Sequence, residues 1–139
     1  MKLRFLLDTN IISEPFKLAP SPSVIAKLHE NSEESAIASV TWHELLFGFH
    51  RLPVSRRKQQ LKTYLFEIIQ PNFPVLPYDH KTAEWFALER ATLIKTGQTP
   101  SYVDGQIAAI AKVNNLILVT RNVSDYQNFT TIKIENWFE

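Results

Sequence analysis

The chain has 139 residues, which suits one domain with a buried core, and 45% of them are hydrophobic. It contains no cysteine, which excludes disulfides, thiolate zinc sites and cysteine nucleophiles. The net charge of +1 means that a nucleic-acid partner would need a local basic patch, and three glycines are too few for a glycine-rich nucleotide-binding loop. We therefore predict a single domain over residues 1–139.

The composition also bears on location. The first apolar run is broken at Asp8 without a signal-peptide cleavage pattern, and no apolar run approaches the ~20 residues that span a bilayer. A chain without cysteine suits a reducing compartment. We expect a cytoplasmic protein that does not use a membrane.

Strand-like and helix-like segments alternate along the chain. The strand-like runs are Leu3–Leu7, Ala36–Val40, Phe73–Pro77, Leu116–Thr120 and Thr131–Ile134. Helical patterns cover Asp8–Glu14, Pro22 to about Asn31, Trp42–Leu52, Ser55–Gln70, Asp79–Thr96, Tyr102–Asn114 and, more weakly, Ser124–Phe129. This alternation predicts an α/β fold with a mostly parallel sheet of five strands.

Acidic residues stand at four junctions near the starts of helical patterns: Asp8, Glu44, Asp104 and Asp125. In an open α/β sheet, ligands bind just beyond the carboxyl ends of the strands. Four acids at such junctions could meet at one point. Because converging carboxylates repel each other, they either take up protons or hold a cation.

Each acid also has a structural alternative. The segments Thr41–Glu44 and Ser101–Asp104 have the spacing of a capping box, in which the acid returns to a backbone N–H at the helix start. Asp8 could simply cap the helix that follows it. Asp125 lies in a polar turn, where an acid is ordinary.

Asp104 has a second property. It shares its helical face with Ile107, Ala108 and Ala111, so it leads the stripe that faces the core. A charge at such a place should be paired or should coordinate a metal. Oxygen ligands without histidine or cysteine suit Mg²⁺ or Mn²⁺, which align phosphodiesters and activate water.

Four segments together resemble the signature segments of PIN-domain ribonucleases, and among them the VapC-type toxins of prokaryotic toxin–antitoxin pairs. They are Leu6–Ile12, Ser39–Gly48, Asp104–Ala111 and Leu118–Tyr126, in the order and spacing of that family. The resemblance implies a three-layer α/β/α fold and an endoribonuclease that depends on Mg²⁺, for which Mn²⁺ can substitute. It also implies a homodimer that a small cognate antitoxin keeps inactive.

The resemblance assigns roles by position. Asp8, Glu44 and Asp104 would be acidic metal ligands and catalytic residues. Family members place a fourth acid either directly after a Thr-Arg pair or three residues later, and here those places hold Asn122 and Asp125. Asp125 would complete the set as a ligand or as a group behind the ligands, and Asn122 would orient a water. The polar residues that would position the substrate are Thr9, Asn10, Thr120 and Asn122.

Two surface features have alternative interpretations. The densest basic stretch, Arg51–Lys62, is either a track for RNA phosphates or an ordinary solvated helix face. The middle helices also carry more apolar residues than single-sided helices need, which indicates core packing, a dimer face or an antitoxin groove. These residues are Leu45, Leu46, Phe47, Phe49, Tyr64, Leu65 and Phe66.

Two other functions compete with the ribonuclease. One is a non-catalytic PIN-fold module that binds RNA or protein, which the joint presence of Asp8, Glu44 and Asp104 disfavours. The other is a phosphatase that forms an aspartyl-phosphate on Asp8. That chemistry wants a second acid two residues later, where this chain has Asn10, which cannot protonate a leaving group.

Overall fold

The strands form one parallel sheet. A computed structural model describes residues 2–139. Its strands are β1 (Phe5–Leu7), β2 (Ser35–Ala38), β3 (Val75–Leu76), β4 (Ile117–Val119) and β5 (Ile134–Glu135). They lie in the order β3-β2-β1-β4-β5, and every neighbouring pair is parallel. The predicted five-stranded parallel sheet is confirmed.

Six helices connect the strands. They are α1 (Thr9–Ile12), α2 (Pro22–Asn31), α3 (Ser39–Arg51), α4 (Arg56–Thr63), α5 (His80–Lys95) and α6 (Tyr102–Val113). After α4 the chain continues through a π-helical segment, Tyr64–Ile69, and a last helical turn, Gln70–Asn72. Short 3₁₀ turns cover Glu14–Phe16, Ser32–Glu34 and Val123–Tyr126. None of the helices within residues 2–139 is both long enough and apolar enough to cross a membrane.

The sheet separates two hydrophobic clusters, because alternate residues of a strand point to opposite faces. On one face, Phe5 and Leu7 of β1 pack with the apolar sides of α2, α3 and α4. On the other, Leu6 packs with α5 and α6. Helices therefore cover both faces, and the three-layer α/β/α architecture is confirmed.

The segment after β2 differs from the prediction. Ser39 and Val40, predicted as the end of a strand, belong to α3, whose N-cap is Ala38. The reason is that the buried stripe of α3 begins at Thr41 and continues every fourth residue through Leu45 to Phe49, which draws the preceding turn into the helix. The predicted capping box at Thr41 is therefore wrong. The Thr41 hydroxyl is buried and finds no hydrogen-bond partner among residues 2–139.

The α5–α6 pair is packed closely because of one glycine. A Cβ atom built on Gly105 would overlap the ring of Phe86. Alongside this contact, the buried positions of α6 include Ala108, Ala109 and Ala111, which let the helix lie close to the sheet. Small side chains thus fix where the first turn of α6 stands above the sheet edge.

Candidate functional site

Asp8 leaves the sheet beside Thr120. Leu7 of β1 is in register with Val119 of β4, and the Asp8 amide donates to the Val119 carbonyl at 2.9 Å. Asp8 Oδ2 accepts from the Thr120 hydroxyl at 2.8 Å, while Oδ1 accepts from the Thr9 amide at 2.8 Å. Asp8 is only 7% exposed. It therefore caps α1 with one oxygen and holds the other at the carboxyl end of the strands.

Asn10 and Thr120 organise the turn beside Asp8. The Asn10 side-chain oxygen accepts from the Arg121 amide at 3.0 Å, and its nitrogen lies 3.4 Å from the Thr120 hydroxyl oxygen. That hydroxyl also accepts from the Asn122 amide at 3.1 Å. The side chain of Asn122 is exposed, and Thr9 contacts Asp8 through its backbone. Asn10 and Thr120 therefore brace the carboxylate, and the predicted substrate-positioning role of these residues stays a prediction.

A tyrosine hydroxyl lies within hydrogen-bonding distance of both Asp104 and Asp8. The hydroxyl of Tyr126 lies 3.4 Å from Asp8 Oδ2 and 3.3 Å from Asp104 Oδ1. Because a phenol carries one proton, it donates to one carboxylate at a time. Ser101 caps α6 by accepting from the Asp104 amide at 3.2 Å, so the hydroxyl half of that predicted capping box is confirmed.

Tyr126 belongs to the site although it was not among the predicted site residues. Only 1% of the residue is exposed. A fully buried tyrosine needs a partner for its hydroxyl, and Tyr126 directly follows the candidate acid Asp125 in the chain. Those two facts together are the signal that could have found it.

Burial and mutual repulsion disfavour the charged forms of the acidic groups at this edge of the sheet. Burial raises the pKa of Asp8, and repulsion from Asp125 adds to that effect. Burial also raises the pKa of Asp104, and Asp125 and Asp8 contribute further repulsion. The pKa of Tyr126 rises as well, first because it is buried and then because the carboxylates lie near it. Asp125, exposed on its 3₁₀ turn, thus acts on all three groups.

Glu44 stands apart from this cluster. It is exposed on α3 and borders a cleft that Val103 and Gln106 of α6 also line. Within residues 2–139, no three acidic or histidine side chains are grouped closely enough to hold a metal ion as they stand. The structure thus brings Asp8, Asp104 and Asp125 into electrostatic contact and places Glu44 at the neighbouring cleft, and the four-ligand site stays a prediction.

The donor set suits a hard cation. Across the described part of the chain there are two ion pairs, Arg4–Glu34 and Lys17–Glu14, and neither involves a candidate acid. The carboxylate charges at the sheet edge are therefore not neutralised by any basic side chain that the structure describes. Uncompensated carboxylate oxygens are the ligands that Mg²⁺ and Mn²⁺ prefer.

Comparison with known proteins defines the family. Residues 5–126 match the family model described as "PIN domain". The chain belongs to the PIN-domain family. The predicted resemblance to VapC-type toxins is also confirmed, since several curated relatives carry that name.

Relatives of this PIN domain match it over nearly their whole length. It is 28% identical over 135 residues to "Ribonuclease VapC2" of Haemophilus influenzae, covering 97% of this chain and 98% of that protein. It is 34% identical over 124 residues to "Toxin FitB" of Neisseria gonorrhoeae, covering 87% and 89%. The structure "FitAcB from Neisseria gonorrhoeae" superposes with a TM-score of 0.89 at 31% identity, covering 97% and 99%. "DNA bound VapBC from Salmonella typhimurium" gives 0.84 at 28%, covering 97% and 98%.

The basic stretch of this PIN domain divides into two groups. Arg57 donates to the Phe16 carbonyl at 3.0 Å and lies 4.0 Å from the centre of the Phe16 ring. Lys58 donates to the Leu52 carbonyl at 3.0 Å. These two cations hold the α3–α4 connection to the domain. Arg51, Arg56 and Lys62 are exposed and make no ion pair among residues 2–139.

The apolar surplus of the middle helices also divides. Leu45, Phe49 and Leu65 are buried, and Leu46 and Tyr64 are partly buried against the same core cluster. Phe47 and Phe66 remain exposed. Core packing therefore explains most of the surplus, and it leaves two aromatic rings at the surface.

Proposed function

We propose that this PIN domain is a metal-dependent endoribonuclease and the toxin of a toxin–antitoxin pair. The observation that carries the proposal is the pair of carboxylates, Asp8 and Asp104, that share the Tyr126 hydroxyl at the carboxyl edge of the sheet. No basic side chain of the described residues forms an ion pair with either of them. Support comes from relatives named ribonuclease and "tRNA(fMet)-specific endonuclease VapC".

Different residues of the site would bind the metal ion, position its ligands and orient the attacking water. A bound Mg²⁺ or Mn²⁺ would align the scissile phosphodiester and lower the pKa of a water. Asp8 and Asp104 would hold it, with Asp125 and Glu44 completing the ligands. Thr120 and Asn10 keep the Asp8 carboxylate in place through the contacts described above. Asn122, whose side chain is exposed beside them, would orient the attacking water.

A protein antitoxin is the proposed regulator. Solved relatives are described as FitAB and VapBC complexes, two of them bound to DNA. An arginine or lysine of the antitoxin could occupy the acidic edge, since a basic side chain there would neutralise the charge that a metal neutralises. We also propose a homodimer, in which apolar residues of the middle helices away from Phe47, such as the exposed Phe66, supply contact area.

The deciding experiment compares Asp104→Asn with wild type. The amide keeps the side-chain shape and removes the charge, so RNA cleavage and growth arrest on expression should be lost while the fold is kept. Glu30→Gln, an exposed acid on α2, is the matched control and should cleave RNA and arrest growth as wild type does. Equal cleavage by wild type and Asp104→Asn would contradict the mechanism.

Metal binding is tested without activity. Mn²⁺ should raise the melting temperature of wild type by mass action and should do so much less for Asp104→Asn. RNA binding without cleavage by wild type, under Mn²⁺, would instead favour the non-catalytic module. Covalent labelling of Asp8 by a phosphoryl donor would favour the phosphatase. Retention of cleavage in a purified antitoxin complex would contradict the blocking mechanism alone.

A further inference from the structure

Three flat polar or aromatic groups stand in a row on the surface of α3. His43, Phe47 and Arg51 are spaced four residues apart, so they lie on one face of the helix. The rings of His43 and Phe47 are parallel within 2°, with centroids 6.3 Å apart. The Arg51 guanidinium lies 5.4 Å from the centre of the Phe47 ring. We call these three residues the α3 ladder.

The α3 ladder is open to solvent at its middle. Phe47 remains 56% exposed although it has a stacking neighbour on each side along the helix. The Phe47 ring is thus accessible to a ligand, with an imidazole and a guanidinium beside it. An aromatic ring beside a free guanidinium is the combination that receives nucleobases.

A cleft beside the α3 ladder reaches Glu44, one of the four candidate acids, and the first turn of α6. The cleft has a volume of about 490 Å³, and His43, Phe47, Glu44 and Gln106 are among the residues that line it. Glu44 therefore borders both the ladder and the first turn of α6, which carries Asp104. Gln106 is half-buried on the α6 side and offers both a donor and an acceptor to the edge of a base.

Charge favours RNA as the occupant. Arg51 forms no ion pair among residues 2–139, and the exposed Arg56 follows it in the chain. A nucleotide placed in the cleft would bring its phosphate near a free guanidinium while its base reached the Phe47 ring. A second copy of this chain would have to bury that guanidinium without a described partner, which is costly.

We propose that the α3 ladder and its cleft bind one unpaired base of the RNA substrate, next to the scissile phosphate. This inference rests on the proposed function, since it places the base relative to Glu44. The base stacks on Phe47 and His43, and Arg51 contacts the adjoining phosphate. The site consequently selects RNA that is single-stranded, or looped out, at the point of cleavage, because a paired base cannot leave its stack to enter the cleft without losing pairing energy.

The test measures binding of a single-stranded RNA hexamer that contains 2-aminopurine, with Asp104→Asn as the background so that no cleavage occurs. Phe47→Ala should weaken binding by roughly 5- to 150-fold, the range found when a stacking aromatic is removed. It should also abolish the fluorescence change of the probe. Phe47→Trp should retain binding, and Leu88→Ala, an exposed apolar residue on α5, should leave it unchanged.

An abasic hexamer adds a second reading. Removing the stacked base should weaken binding to the parent protein and have little further effect on Phe47→Ala. Unchanged binding by Phe47→Ala would overturn the proposal. So would a Phe47→Ala protein that sediments as a smaller species while its RNA affinity is unchanged, since the face would then be an interface between copies. Cleavage by Phe47→Ala with the KM of wild type would overturn this inference and leave the proposed function intact. Stacking of a base on Phe47 in a wild-type protein that does not cleave RNA would keep the base-binding site and remove the proposed function.

Discussion

The acids of this PIN domain occupy two unlike surroundings. Asp8 is buried just past the ends of β1 and β4 and accepts hydrogen bonds from Thr9 and Thr120, with the Tyr126 hydroxyl close by. Glu44 is exposed on α3, and no hydrogen bond or ion pair holds its side chain among the described residues. One side of the site is therefore fixed by the fold, whereas the other is free to move.

The difference indicates how the site would assemble. Fixing a free glutamate side chain costs about 1.5–2 kcal/mol of conformational entropy, whereas a side chain already held by the fold has lost that freedom during folding. On the side of the site that contains Asp8 and Asp104, the free-energy cost is electrostatic: both pKa values are raised, so ionising these carboxyls is unfavourable. We expect ligand binding to order Glu44 and to relieve the charge on the other side.

The largest expected effect separates activity from stability. Asp8→Asn and Glu44→Gln should each lower kcat/KM for RNA cleavage by at least about 100-fold, because each removes charge that stabilises the transition state. In metal-free protein, Asp8→Asn should raise the free energy of unfolding, since it removes a buried and repelled charge. Glu44→Gln should change that free energy by less than about 0.5 kcal/mol, as is usual for an exposed residue. Urea unfolding in EDTA measures both, and a destabilised Asp8→Asn would contradict the comparison.

A pair of glycines tests the packing of the two sides. Gly105→Ala should destabilise the fold by about 1–3 kcal/mol, because the new methyl group would overlap the Phe86 ring. Gly48→Ala, on the open side, meets nothing within 4 Å and should stabilise α3 by about 0.5–1 kcal/mol. Urea midpoints of the two variants give the comparison directly. Partial rescue of Gly105→Ala by Phe86→Leu would confirm the cause, and equal effects of the two glycine variants would refute it.

The raised pKa values of Asp8 and Asp104 should also make the free energy of unfolding depend on pH. The folded state raises the pKa of Asp8 and Asp104 above 3.8, so their contribution to the free energy of unfolding is greatest below pH ~4 and is lost as pH rises through the folded values. Glu14 and Asp79 act in the opposite sense. Their pKa values are lowered, so the stability they provide is lost as pH falls below their ordinary values of 4.5 and 3.8.

Tyr126→Phe sharpens this pH dependence. The phenol lowers the pKa of both neighbouring carboxyls, so its removal should extend the decline in stability to higher pH and cost about 1 kcal/mol near neutrality. Tyr78→Phe, away from the acids, is the control. Metal-free melting curves between pH 4 and pH 8, in steps of about one unit, provide the measurement. Identical pH profiles for the two variants would show that the hydroxyl does not act on the carboxylates.

The smallest expected effect concerns RNA binding by Arg56, an exposed residue of the basic stretch. Arg56→Gln should reduce the salt dependence of single-stranded RNA binding by about 0.7 in the slope of log affinity against log salt, as expected for one lost phosphate contact. Lys95→Gln, at the end of α5, should leave the slope unchanged. Titrations at several salt concentrations decide the matter, and an unchanged slope for Arg56→Gln would identify the basic stretch as a solvated helix face.

The sequence was sufficient for the sheet and for Asp8, because both depend on local patterns. A buried strand followed by an acid predicted the position of Asp8, and the structure shows that it is a helix cap and part of the acidic edge at once. The start of α3 was missed, since Val40 suits a strand locally and only the burial of Thr41, Leu45 and Phe49 draws it into the helix.

The contact between Asp8, Asp104 and Tyr126 could not be predicted from spacing. It joins Tyr126 to Asp8, 118 positions away, and to Asp104, 22 positions away, and it depends on how close α6 lies to the sheet. The capping alternative for Glu44 failed for a related reason. Its residues match the motif locally, but tertiary packing moved the helix start to Ser39.

The buried contact between Gly105 and Phe86 determines where the Asp104 carboxylate lies relative to the other acids. Asp104 stands one residue before Gly105, so the height of its carboxylate above the strands is set by hydrocarbon volume that never touches solvent. An added methyl group between α5 and α6 would displace the first turn of α6, and the Asp104 carboxylate with it, without altering any polar residue. Among related proteins, substitutions of these small apolar residues would change the distance between the Asp8 and Asp104 carboxylates. The catalytic activity could therefore change during evolution while all the acidic residues were kept.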